Sequence, residues 1–313
     1  MAISWQRRDL TGVVDLPAEP RTADRQAPLA EHIRAGLDAR LRALISHDPG
    51  TRQGEDPEEL HQMRVSVRRM RAMLRSGRRF LDRDWSEPLR AELGWLGRAL
   101  GPVRDLDVLL ERLRVESADL PADERAAAAR LISGLEVEHG LARVEMLAAL
   151  DSDRYLALLR SVSDSLRAGL PAPESDVDTE GELRRLVLGQ FRKVRKSVAR
   201  LPEAPADDEL HALRIRGKRV RYTAELAQPA FGKPMQQLIK AAKQFQDVLG
   251  EHQDACVAEE RIRGLLHDVG ENVDAAVAFV AGRLVEREQA RKAERRAQWW
   301  QAWEALDAAA AAI

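Results

Sequence analysis

Two stretches of this chain lie over one another residue for residue: EELHQMRVSVRRMRAMLRS at 58–76 and DELHALRIRGKRVRYTAEL at 208–226. The alignment sets His61 on His211, Arg64 on Arg214, Arg68 on Lys218, Arg69 on Arg219 and Arg71 on Arg221. A second pair, ALGPVRDLDVLLERL at 99–113 and VLGEHQDACVAEERI at 248–262, aligns with an offset that differs by a single residue, and upstream Arg34 and Arg42 meet Arg184 and Arg192. A repeat close to half the chain in length is far too long for a solenoid. It predicts two related helical bundles packed together.

The residue types agree. Ala, Leu and Arg dominate, aromatics make up only 4% of the 313 residues, and hydrophobic residues make up 44%; this mix favours helix over strand, so the expected fold class is all-α. Residues 1–27 carry Pro17 and Pro20 and run into Pro28, and are expected to form an N-terminal extension, extended or loosely packed. The first half is expected over 28–170. Leu29, Ile33, Leu37, Leu41 and Leu44 mark its first helix, which HDPGTRQGEDP should interrupt. The His-Arg segment is its second helix. A third follows from about Pro88, with a bend at Gly101-Pro102, a fourth after Pro121, and a shorter one over DRYLALLRSVSDSL. The Pro-rich stretch within 171–180 reads as a linker, 181–313 as the second half, and about 272–309 as a long closing helix.

At about 100° per residue, His61, Arg64, Arg68, Arg71 and Arg75 fall within an arc of roughly 80°, while Leu60, Met63, Val67, Met70 and Leu74 occupy the neighbouring arc. In the second copy His211, Arg214, Lys218 and Arg221 form the cationic arc and Leu210, Leu213, Val220 and Ala224 the apolar one. Glu225 stands where Arg75 does, and either shortens the second stripe or gives it an internal ion pair. Like charges three and four residues apart cost a helix a few tenths of a kcal/mol per pair. Acids on neighbouring helices could offset one such run, but a merely solvated face gives no reason for histidine and guanidinium positions to match in both halves. Two facing stripes that line one channel do give a reason. Arginine's planar fork suits phosphate oxygens and keeps its charge at any relevant pH, so a polyanion is the natural guest. Further wall candidates are Arg98 and Arg104 in the first half, Lys240, Lys243 and His252 in the second, and Arg34, Arg42, Arg184, Arg192, Lys193, Arg195 and Lys196 on the two first helices.

With ELHQMRVSVRRMR and ELHALRIRGKRVR, LGRALGPVRDLDV and VLGEHQDACV, and ARVEMLAALDSDRYLALL, the chain resembles the conserved histidine α-helical domain (CHAD) family from about residue 28 to the final helix. That resemblance implies two pseudo-symmetric four-helix-bundle halves around a central basic cavity that binds inorganic polyphosphate. His61, Arg64, Arg68, Arg71, His211, Arg214, Lys218 and Arg221 would be the main contacts. Family members are often fused to a triphosphatase domain of the CYTH type, marked by ExExK on a strand. The nearest imitation here is EVEHG at 136–140, in a helical segment and without the lysine. The expectation is therefore a stand-alone, non-catalytic binding module, associated with polyphosphate granules.

Other chemistries fare less well. Lys and Arg number 50 against 51 Asp and Glu, so no general basic coat exists and any anion site must come from segregated charge. Cys256 is the only cysteine, which fits a reducing compartment. With no apolar leader in MAISWQRRDLTGVVDLP and no long apolar run, a cytoplasmic location off the membrane is expected. Neither HxxxH nor HExxH is present, so no metal or cofactor is expected. Asp105, Asp107, Asp247 and Asp254 could hold Mg²⁺ for a polyphosphate or triphosphate hydrolase, yet beside arginines they read better as ion pairs orienting basic side chains. No GxxxxGK[ST] or GxSxG occurs. Nucleic acid is disfavoured because Trp299, Trp300 and Trp303 lie far from the basic repeats; they seal a bundle or mediate a homodimer.

Overall fold

The computed structural model describes residues 14–172, 178–269 and 274–313. Residues 1–13 of the expected extension, 173–177 of the expected linker and 270–273, which take in the first residues of the expected closing helix, lie outside them. Every regular element among the described residues is an α-helix: α1 Leu29–Gln53, α2 Pro57–Ser76, α3 Arg83–Ala118, α4 Ala122–Asp151, α5 Asp153–Ala168, α6 Thr179–Val198, α7 Asp207–Phe231, α8 Lys233–Val269 and α9 Ala275–Ala311. The all-α expectation holds. No helix among them is long and apolar enough to cross a membrane.

Local chemistry sets the start of α2, the first basic helix. Asp56 caps it by accepting from Glu58 N at 2.8 Å, Pro57 supplies a preset first-turn φ, and Glu58 and Glu59 place negative charge at the positive end of the helix dipole. Helix α7 begins in a related way, with Asp207, Asp208 and Glu209 in its first turn and Ala206 N donating to Glu209 Oε2 at 2.8 Å.

One sequence expectation needs correction. Helix α1 does not stop at HDPGTRQGEDP but runs through Pro49 to Gln53, ending at Gly54 with φ 74°. Its last turns are held from outside: Asp48, 1% exposed, accepts from Tyr155 Oη at 2.8 Å and from Arg52 Nε at 2.6 Å, and Arg52 also donates to Leu150 O. This buried network outweighs the donor that proline removes. The described residues before α1 carry no helix, and three hydrogen bonds tie them to unit 1. Ser163 Oγ donates to Asp15 O, Arg42 Nη2 to Pro17 O and Arg21 N to Asp38 Oδ2.

The chain divides into two compact units, each gathered from separate pieces of sequence. Unit 1 is Met1–Arg104, Ala142–Val187 and Tyr222–Met235; unit 2 is Asp105–Leu141, Leu188–Arg221 and Gln236–Ile313. In unit 1, Ile33, Leu37 and Leu41 of α1, Met63, Val67, Met70 and Leu74 of α2, and Leu93, Leu96 and Leu100 of α3 are all buried. In unit 2, Leu210 and Leu213 of α7, Phe245 of α8 and Leu306 of α9 are sealed from solvent, and Trp303 stacks on Phe191 at 5.7 Å between ring centres. Each such side chain contributes roughly 1.5–3 kcal/mol on burial. The apolar arcs read from the sequence are therefore the core arcs. Their detail is exchanged between the copies: Val67 faces Gly97 in unit 1, whereas in unit 2 Gly217 lies under Phe245 and its carbonyl accepts from Gln246 Nε2 at 3.1 Å.

Candidate functional site

Each unit carries one cationic helix face, and each face is set by the helix it lies against. In unit 1 the core side of α2 packs against α3 and turns the adjoining stripe outward in a gradient. His61, Arg64 and Arg68 are half-buried, whereas Arg71 and Arg75 are exposed. Helix α3 adds cations to this face. Arg104 is close enough to His61 to lower its pKa, and Arg98 and Arg90 do the same to Arg71.

His61 sits below its ordinary value mainly because burial disfavours the imidazolium; Arg104, Arg68 and Arg64 push in the same direction and Glu58 opposes them. Arg71 is lowered first by burial and then by Arg90, Arg98 and Arg75. Among the described residues no carboxylate oxygen lies within 4.0 Å of Arg68, Arg71, Arg75, Arg98 or Arg104. Such segregated charge gives this face a positive potential. Glycines on α3 make room for the arginine side chains: the Arg71 guanidinium lies 3.4 Å from where a Gly94 side chain would begin, and Arg64 Nη1 donates to Gly101 O at 3.2 Å.

The face in unit 2 repeats part of this plan. Arg214 lies 3.7 Å from the side-chain position of Gly250, the counterpart of Gly101. His211 Nδ1 is 2.7 Å from Gln253 Oε1, which accepts its proton and leaves Nε2 as the ring's other hydrogen-bonding atom. Asp254 sits among Arg214, Arg112 and Lys218; burial raises its pKa and these cations oppose the rise. Asp107 likewise binds His139 Nε2 at 2.8 Å. Asp254 thus has cations around it, and Asp107 has a histidine as its partner. Arg192 and Lys196 on α6 and Lys240 and Lys243 on α8 are exposed, and no carboxylate oxygen lies within 4.0 Å of them among the described residues.

Three site candidates are corrected by their surroundings, the first being Arg34, which donates to Leu166 O at 2.8 Å and to Arg167 O at 2.9 Å and pairs with Glu31. His252 is only 1% exposed, with Nε2 3.2 Å from Asp207 Oδ1 and Nδ1 3.9 Å from Cys256 Sγ, so its ring is enclosed and offers no face to an arriving anion. Arg42 is committed to Asp38 at 2.9 Å and to the carbonyls of Pro17 and Glu19. Conversely, Arg90 joins the unit 1 face without having been singled out. Its signal was the spacing Arg90, Gly94, Arg98 along one side of α3.

The group Asp207, His252 and Cys256 has ligand atoms within 4.8 Å of one another. It does not fit a metal ion. Lys292 Nζ, 3.4 Å from Asp207, and Arg296 Nη2 already neutralise that carboxylate, and burial with Asp207 close by pushes the Cys256 thiol up to about 11.

The sequence model of the CHAD domain matches residues 35–263, a span that takes in both basic helices. The chain belongs to the CHAD domain family. This CHAD chain is 29% identical over 270 residues to "Uncharacterized protein MT2285" of Mycobacterium tuberculosis (strain CDC 1551 / Oshkosh), with 83% of this chain and 50% of the relative covered. The same figures hold for "Uncharacterized protein Rv2226" of strain ATCC 25618 / H37Rv. It therefore spans half the length of these curated relatives. Among solved structures, the CHAD domain from the plant Ricinus communis superposes with a TM-score of 0.70 at 26% identity, covering 95% of this chain and 96% of that one. PptA from Streptomyces chartreusis gives 0.67 at 24% identity, covering 88% and 98%, and is a likeness of fold.

Proposed function

We propose that this CHAD chain binds inorganic polyphosphate without cleaving it, using the α2–α3 face of unit 1 and the α7 face of unit 2. One observation carries most weight: five arginines of the unit 1 face, Arg68, Arg71, Arg75, Arg98 and Arg104, have no carboxylate within ion-pair distance among the described residues. A structural face would be neutralised by its own acids, as Arg52 is by Asp48 and Asp151. A bare phosphate chain presents an acceptor at every repeat and supplies the missing charge. The sequence duplication is the reason to expect one long chain to engage both faces, and the polyphosphate granule is the proposed cellular address.

Binding of this kind releases counterions, so log K should fall linearly with log salt, by about 0.7 per neutralised phosphate if the single-strand nucleic acid value applies. The competing readings make different predictions. A hydrolase would release phosphate with Mg²⁺ or Mn²⁺ and lose that activity on Asp105→Ala. A nucleic-acid protein would let single-stranded RNA displace long-chain polyphosphate at equal phosphate concentration. The present reading expects neither result, and either one would replace it.

A further inference from the structure

A second group of cations in unit 1 lies on a different side of α2. Arg69 is about a third of a turn around the helix from the centre of the stripe. Its Nη2 donates to Glu225 Oε1 at 3.3 Å, with 23% and 18% of the two side chains exposed. Arg40 reaches the same place from α1. Burial is the main cause lowering its pKa, Arg69 adds to the shift, and Glu225 opposes it. Among the described residues no carboxylate oxygen lies within 4.0 Å of Arg40, and the solvent-shielded Nε atoms of Arg40 and Arg69 have no hydrogen-bond acceptor. Of these two half-buried guanidiniums only Arg69 touches Glu225, and Arg40 feels that carboxylate through space alone.

Leaving a buried N–H donor unsatisfied costs roughly 1–3 kcal/mol, and more when it is charged. An arriving group that repairs the deficit needs negative charge and several acceptor oxygens spread widely enough for two forks. We infer that Arg40 and Arg69 form a separate small-anion site for a phosphate group, with Glu225 as its built-in competitor. The group can be free inorganic phosphate or the end of a longer chain; the chemistry is the same and the source is decided by experiment. This site does not require the stripe to bind polyphosphate, so the two readings stand or fall separately.

The test is calorimetric titration with inorganic phosphate, then with long-chain polyphosphate in its presence, on the wild type, Glu225→Gln, Arg40→Gln and Arg68→Gln. Removing the competing charge should tighten phosphate binding roughly three- to tenfold. Arg40→Gln should abolish phosphate binding, and Arg68→Gln should leave it intact while weakening the polyphosphate chain. Phosphate that blocks part of the polyphosphate signal in the wild type but not in Arg40→Gln identifies a chain end as the source; independent binding identifies free phosphate. Unchanged phosphate affinity in a folded Arg40→Gln protein overturns the inference, and so does weaker binding by a folded Glu225→Gln. Arg40→Gln removes a charge from a repulsive pair and is expected to fold, so it decides the matter even where Glu225→Gln does not fold. Loss of polyphosphate binding by the wild type, with the phosphate results intact, overturns the stripe reading alone.

Discussion

Replacing Arg71 by Gln should stabilise the free protein, and it should do so through charge. Arg71 has Arg68 three residues before it and Arg75 four residues after it, and burial, Arg90, Arg98 and Arg75 together lower its pKa. Each like-charge pair within the helix costs roughly 0.2–0.5 kcal/mol. The contacts to α3 lie at an exposed end of the face and are discounted to about the same size by solvent screening. The sum is on the order of 1 kcal/mol, and glutamine keeps enough of the stem to cover Gly94. A thermal melt at low ionic strength should therefore show Tm higher by about 2–4 °C in the variant. The gain should fade towards 1 M salt, where the Debye length falls to about 3 Å. Saturating polyphosphate should reverse the order, because ligand linkage favours the protein that binds more tightly. A variant less stable than wild type at low salt, or a difference unaffected by salt, would refute the view that the stripe is held against its own repulsion.

Gly217→Ala would place a methyl group 2.9 Å from the Phe245 ring and should destabilise the protein by roughly 1–3 kcal/mol, read from urea denaturation. Glu288, 0% exposed and gripped by Arg112 at 2.6 and 2.5 Å, is pushed up to about 7, first by burial and then by Glu116, against the pull of Arg112. Its folded-state value lies above the unfolded 4.5, so the folded protein holds the extra proton and its stability falls as pH rises between these values. Relative to Glu288→Gln, the wild type should lose up to about 3 kcal/mol between pH 5 and pH 8 in the same assay. His61 has a folded value below the usual 6.5, and nearby phosphate raises it. Polyphosphate binding should therefore take up protons and tighten as pH falls from 8 towards 6, with smaller uptake in His61→Gln when heats are compared across buffers.

The stripe and the core were legible because both follow helical period. Leu60, Met63, Val67, Met70 and Leu74 are each at most 4% exposed, as their shared arc implied. What escaped the sequence reading depends on residues distant in the chain. Helix α1 continues past Pro49 because Tyr155, more than a hundred positions away, anchors Asp48. His252 resembled a stripe histidine from its place beside Gly250, but Asp207 from the start of α7 and Cys256 one turn on enclose it. Arg42 matched Arg192 in alignment, yet the segment before α1 claims its guanidinium. Arg40 has no patterned neighbours on α1, so only the fold brings it to Arg69.

The most direct measurement is the affinity of polyphosphates of defined length for wild type, Arg68→Ala, Lys218→Ala and the double variant at several salt concentrations. If one chain uses both helices, affinity per molecule should rise steeply once the chain is long enough to engage both, and either single substitution should remove most of that gain. Equal affinity for short and long chains, or two substitutions that each leave the length dependence unchanged, would contradict the account.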